Sequence, residues 1–292
     1  MDIVALFCEI DDFCQRFEPW VQRQMLSGRR RRRQPTMQLS EVMTIMVLFH
    51  QQGYRTFKQF YQEHVCVHLR QEFPHRVSYN RFVELQRDAL ALLCAYLQQR
   101  KGRCTGISFM DSTSLAVCHN RRIHSHRVFA DVAARGKSSV DWFFGFKLHL
   151  VVNDQGELLA FCLTPANTDD RQPVRDLVEN LWGKVFADKG YISQPLFETL
   201  FDQNLQLITK LKRNMHNKLM PLLDKLLLRK RNIIETIIDQ LKNISQIEHS
   251  RHRSLWNFFG NLVAGLIAYT WRPNKPSLGI HPQDTLLPTL VC

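Results

Sequence analysis

Between Gly102 and Gly106 the spacing of apolar residues changes from a helical to a strand period, and this change limits the fold more than any other feature. Before it, Ile3, Leu6, Phe7, Ile10, Phe13, Cys14 and Phe17 recur at three- and four-residue steps, one stripe of an amphipathic helix. LSEVMTIMVLFHQQ, Gly53 and TFKQFYQEH from Thr56 read as helix, turn and helix, the outline of a DNA-binding helix-turn-helix. A third helix is expected from the N-cap Ser78, with Phe82, Leu85, Ala89, Leu92, Leu93 and Tyr96 on one face.

After it, Ile107 and Phe109 form a short strand leading into Asp111, and Phe144, Phe146, Leu148, Leu150 and Val152 alternate. Asn153–Gly156 turns the chain and Leu158–Leu163 returns as a hairpin. A helix from Asp169–Asp170 toward Leu181, a strand Lys184–Ala187, a helix from Ser193 and a strand Leu205–Thr209 come next. Two helices, near 229–246 and 252–271, complete the pattern. The order implies an α/β fold, a mixed sheet flanked by helices and preceded by an all-helical region. The expected division is a helical, DNA-binding region over 1–100, a catalytic domain over 101–275 and a disordered tail over 276–292.

Lys and Arg number 39 against 27 acids, a net charge of +12, which favours a polyanionic partner such as nucleic acid. The arginine run Arg29–Arg33 repels itself and marks an exposed loop able to lie along phosphates. Eight scattered cysteines without a C-x-x-C pair suit a reduced compartment. The N-terminus carries acids where a signal peptide carries cations. Leu255–Trp271 contains Asn257 and Asn261 and falls short of the ~20 residues of a membrane span, so a buried helix is expected there. Together these imply a cytoplasmic protein with no membrane partner.

Asp111 and Asp188 each follow an apolar strand, and carboxylates ending neighbouring strands can share a hard cation that keeps water for a phosphate substrate. Glu235 adds a third acid from a helix. At about 100° per residue, Arg231 and Lys242 lie about 40° and 20° from it on one stripe. An exposed Arg231–Glu235 surface pair explains the helix pattern equally well. Other features invite other readings. Cys118, His119, His124 and His126 resemble zinc ligands, but their spacing among Arg121, Arg122 and Arg127 favours a basic loop without zinc. Asp169 and Asp170 fit a helix cap better than a catalytic pair. Lys147 and His149 alternate with the apolar face of a partly exposed strand and fall outside the site. Arg251, His252 and Arg253 open the last helix with the charge its dipole disfavours, which favours a phosphate partner there.

The spacing R-x3-E-x6-K at Arg231, Glu235 and Lys242 resembles the signature around the last acid in one branch of the DDE transposases. FMDSTSL around Asp111, FADKGYIS around Asp188, GFKLHLVVNDQGELLAFCLTPANTDDR and EHSRHRSLWNFFGNLVAGLIAY are similar to motifs of the same family. The resemblance implies a ribonuclease H-like catalytic domain in a transposase of a bacterial insertion sequence. It implies Asp111, Asp188 and Glu235 as catalytic residues and as ligands of two Mg²⁺ ions, with Mn²⁺ as a substitute. Lys189, Arg231, Lys242 and Arg251 are implied as phosphate contacts. The implied partners are terminal inverted repeats and target DNA, engaged by a homodimer. The sequence departs from the family at Leu228, where the branch carries Tyr, and in the short stretch between Asp188 and Glu235, which leaves no room for an inserted domain. A nuclease without strand transfer, or a DNA-binding regulator or inactive remnant, are the rival readings.

Overall fold

The computed structural model describes residues 2–25, 36–138, 141–210, 220–248 and 252–279. In chain order the elements begin with α1 (Ile3–Met25), α2 (Leu39–Phe49), α3 (Phe57–Gln59), α4 (Tyr79–Gln99), β1 (Ile107–Cys118), β2 (Ala134–Lys137), β3 (Trp142–Asn153) and β4 (Leu158–Pro165). There follow α5 (Val174–Leu177), β5 (Gly183–Ala187), α6 (Gln194–Asp202), β6 (Leu205–Thr209), α7 (Leu222–Lys230), α8 (Asn232–Asn243) and α9 (Leu255–Thr270). They divide into two units, Met1–Arg100 with Gln240–Arg272, and Lys101–Asp239 with Pro273–Cys292. The arginine run Arg29–Arg33 and Arg251 lie outside the described residues.

Apolar residues on every side of a helix require burial on every side, and the first unit is built around two such helices. In α2, Gln38 and Glu41 cap each other's backbone and every residue from Ser40 to Phe49 is buried. In α9, Gly260 to Thr270 are all buried. The stripe Leu6, Ile10 and Phe13 of α1 is buried in the same unit, where α1, α2, α4 and α9 pack together. So α9, expected with the sheet, belongs to the helical unit. The expected helix-turn-helix takes a different form: α2 is core, and the second helix is the three residues of α3 continued by a π-helical turn over Phe60–Val65. Ring contacts of Phe57 with Phe49 and Phe82, and of Tyr61 with Phe82, turn this segment inward. No described helix is long and apolar enough to cross a membrane.

The second unit is a six-stranded mixed sheet. Strand β3 has β1 on one side and β2 and β4 on the other, all antiparallel, while β1, β5 and β6 run parallel. Strand β1 runs seven residues past Asp111, beyond the short strand expected. Its second half, Ser112 to Cys118, alternates small, partly exposed residues with buried Leu115 and Val117, so apolar periodicity registered only the first half. A bulge between Ala116 and Cys118 sets the register against β3. Gly145 lies opposite Ala116, and a Cβ there would come within 2.0 Å of the Leu115 carbonyl oxygen.

Three other expectations need correction. The helix drawn from Asp169 is the single turn α5; Asp169 instead accepts the Arg171 N–H in a local turn, and Pro173 delays the helix. The expected 229–246 helix is two helices, α7 and α8, meeting at Arg231. Residues 276–279 of the expected disordered tail are described, and Leu278 N–H donates to the Asp154 carbonyl; the remainder lies outside the described residues.

Candidate active site

Alternation along β1 sends Met110 and Ser112 to one face of the sheet and Phe109 and Asp111 to the other. On the first face Met110 packs with Val151, Val185, Val174, Leu177 and Leu200, a core roofed by α5 and α6. On the second, Phe109 stacks on Phe186 of β5, and α7 is fixed to β5 by a 2.7 Å ion pair between Lys184 and the buried Asp224. The parallel register places Phe109 opposite Phe186, and two further residues along each chain bring Asp111 alongside Asp188. The two acids arrive together because both strands enter from the same end.

Arg231 stands at the joint between α7 and α8, and its guanidinium donates to Asp111 and to Glu235. Nη1 reaches Asp111 Oδ2 at 2.8 Å, and Nη2 reaches Glu235 Oε1 at 2.5 Å. Asp111 Oδ1 also accepts the Ser112 N–H at 2.8 Å. The Arg231 side chain is 10% exposed, Asp111 21% and Glu235 51%. This is no surface i,i+4 pair, because one partly buried cation bridges the sheet to the helix. Leu228, where the signature carries Tyr, is buried on α7 as an apolar packing residue.

Burial pushes the Asp111 carboxyl above its ordinary range and the nearby Asp188 carboxylate adds to this, while Arg231 and the Ser112 N–H pull it back. For Arg231, burial works against the charge, but Asp111, Glu235 and Asp188 outweigh it and hold the guanidinium firmly protonated. Tyr191, at the end of the turn after Asp188, is buried; that burial and the nearby carboxylates of Asp111 and Asp170 hold its hydroxyl well above the usual phenol range. One buried cation thus serves three carboxylates.

Among the described residues no three His, Cys, Asp or Glu side chains are gathered as a ready set of metal ligands. Asp111 and Asp188 lie side by side, and Glu235 joins them through Arg231 rather than directly. The donor chemistry nevertheless fits a hard divalent cation: only carboxylate oxygens, partly open to solvent, with charge to spare over their one counter-ion.

Residues 101–255 match the family model of the transposase DDE domain. The chain belongs to this family. Its likeness to the piggyBac transposase, solved as a synaptic complex with hairpin DNA, has a TM-score of 0.53 at 9% identity and covers 92% of this chain and 73% of that one. That likeness supports the shared fold, a curled mixed sheet with helices and a helical N-terminal region. A Mos1 strand transfer complex (12% identity, 89% of this chain and 85% of that one) has a TM-score of only 0.24. Sequence comparison with curated proteins gives no match.

In this transposase, then, Asp111, Asp188, Arg231 and Glu235 meet in one unit. Lys189 follows Asp188 as an exposed residue of the turn Lys189–Tyr191. Lys242, seven residues after Glu235 on α8, pairs with Glu248 at 3.0 Å. His149 is not a partly exposed strand residue but a buried one, its Nε2 2.9 Å from Thr164 Oγ1. Lys147 is held by the Thr168 carbonyl at 2.9 Å and Asp170 at 3.0 Å. Sequence reading had Lys147 and His149 on one face of β3 but missed their partners Thr164 and Asp170, the Ser112 and Ser114 of β1 on the same face, and Tyr191.

Proposed function

We propose that this transposase cuts DNA at the ends of a bacterial insertion sequence and joins the freed ends to target DNA, using Asp111, Asp188 and Glu235. The carrying observation is the bridge from Asp111 through Arg231 to Glu235 beside Asp188, a concentration of negative charge held by one cation and partly open to solvent. The family as a whole works with divalent metal ions; here the three carboxylates would hold Mg²⁺, two ions by the family pattern, with Mn²⁺ as substitute. Bound there, the metal supplies Lewis-acid activation of the attacking oxygen and charge relief at the leaving oxygen.

The chain's own residues do the rest. Arg231, released from Asp111 and Glu235 as their charge is matched, keeps its protonated fork for the phosphodiester. Lys189, exposed next to Asp188, flanks the same phosphate, and Lys242 and Arg251 take neighbouring ones in the Tyr-Arg-Glu-Lys branch reading, with Leu228 replacing the tyrosine. The partners are terminal inverted repeats and target DNA, met by a homodimer in the cytoplasm.

The test is incubation of purified protein with Mg²⁺ and a labelled duplex from the DNA bordering its gene, beside an Asp188→Asn variant. Nicks at the border and joined products, both absent in the variant, are expected. Cutting without joining would make the protein a nuclease, binding without cutting a regulator or remnant, and equal cutting by the variant would remove the carboxylates from the chemistry.

A further inference from the structure

The chain between β1 and β3 leaves the sheet, returns as β2, and carries more charge than its surroundings. Residues 119–142 hold five cations, Arg121, Arg122, Arg127, Arg135 and Lys137, against the acids Asp131 and Asp141. All five cations are exposed, and among the described residues none of them forms a salt bridge. Elsewhere in the unit Lys147, Arg171, Lys184 and Arg231 each have an acid partner. The segment is positioned all the same. His119 caps the 3₁₀ turn Asn120–Ser125, and the Asn120 amide donates to the Trp142 carbonyl at 2.6 Å. Gly136 packs so closely on Ala166 that a Cβ would meet its carbonyl oxygen at 2.2 Å.

Trp142 stands out within this segment. It is 46% exposed on a strand whose other aromatics are buried, and the Arg135 guanidinium lies 5.1 Å from the centre of its ring. Register fixes where it faces. Trp142 pairs with Lys137, and Phe144 with Arg135; counting along β3 in steps of two from Trp142 passes Phe144, Phe146 and Leu148 to Leu150, the partner of Asp111. Trp142, Arg135 and Lys137 therefore project from the same face of the sheet as Asp111. The separation is eight strand residues, about 27 Å at about 3.4 Å each. On B-form DNA that distance is about eight base pairs.

We propose that Arg121, Arg122, Arg127, Arg135, Lys137 and Trp142 form a second DNA-binding surface that grips duplex about eight base pairs from the phosphate at Asp111. The cations lie along the backbone, where unpaired exposed charge is cheap to desolvate against phosphate, and Trp142, backed by Arg135, stacks on a base displaced from the duplex at that point. This rests on the transposase reading of the Asp111 site, but it is separable from it.

The experiment measures anisotropy of border duplexes extending about five or about fifteen base pairs to either side of the cut, at several salt concentrations. Wild-type protein is expected to gain affinity when the duplex passes about eight base pairs. Arg121→Ala/Arg122→Ala/Arg127→Ala should lose most of that gain, its log–log salt slope falling by about 2–3. The triple Arg→Lys variant, which keeps the charge, should retain the slope and so separate charge from misfolding. A mismatch near the eighth base pair should raise wild-type affinity about tenfold, and Trp142→Ala should abolish that rise. Unchanged slope and length dependence in the alanine variant, with cutting retained, would overturn this surface alone. Failure of the wild type to bind any duplex would overturn it together with the transposase reading.

Discussion

One sheet carries two clusters of acid and cation, on opposite faces, and they are built to opposite ends. Behind the sheet, Lys147 meets Asp170 and the Thr168 carbonyl while buried His149 reaches Thr164; the one cation there has an acid of its own. In front, Arg231 divides itself between Asp111 and Glu235, with Asp188 close by, and half of the Glu235 side chain is open to solvent. The first arrangement ties β3 to β4 and to the turn that follows it. The second is left short of positive charge, and what is short of charge can recruit a cation or a phosphate-bound metal. What sets the proposed active face apart is an unbalanced count of charge, not an unusual residue type.

Three substitutions sharpen or break that contrast. Arg231→Ala leaves Asp111 partly buried with no counter-charge, so it should lower unfolding stability in urea by about 3 kcal/mol in chelator. Saturating divalent metal should restore much of this, because the freed carboxylates then bind it. Lys147→Met strands Asp170, which is more exposed; the expected loss is about 1–2 kcal/mol, unchanged by metal. Equal metal rescue of both variants would dissolve the distinction between the faces. The smallest effect is expected from His149→Val, about 1 kcal/mol, through the lost Thr164 bond.

His149 also gives the cluster behind the sheet a pH dependence. Burial, helped by Lys147 and opposed by Asp170, holds its imidazole below the ordinary value of 6.5. The folded state thus binds fewer protons than the unfolded one, so the stability is intact above pH 6.5 and is lost as pH falls below it. Urea midpoints measured between pH 7.5 and 5 should fall for the wild type and fall less for His149→Val.

The legibility of these features in the sequence follows their physics. Alternation of Phe144 to Val152 and the apolar runs before Asp111 and Asp188 are one-dimensional signals of burial, and they located the central strands. Burial of Gly260–Thr270 could be read the same way, but its unit could not, because a helix apolar on all sides carries no record of what covers it. The polar half of β1 was invisible, since Ser112, Thr113 and Ser114 mark a strand only when a neighbour pairs with them. Asp169 misled because the same side-chain hydrogen bond serves a turn or a helix cap, and only Pro173 distinguished them. The spacing of Arg231 and Glu235 was visible; that the guanidinium also reaches Asp111, 120 positions away, was not.

Gly145 has a consequence for how such genes lose function. Its missing side chain lets β3 close on the Leu115 carbonyl beside the β1 bulge, five positions along β3 from the partner of Asp111. Any other residue must push these strands apart or shift their pairing, and a shift of one residue turns Asp111 from its own face of the sheet to the opposite one. A copy of the gene with a single change at codon 145 would keep Asp111, Asp188, Glu235 and Arg231 intact in its reading frame. On the proposed assignment, a search for the acid motifs would score that copy as active although its carboxylates would no longer share one face.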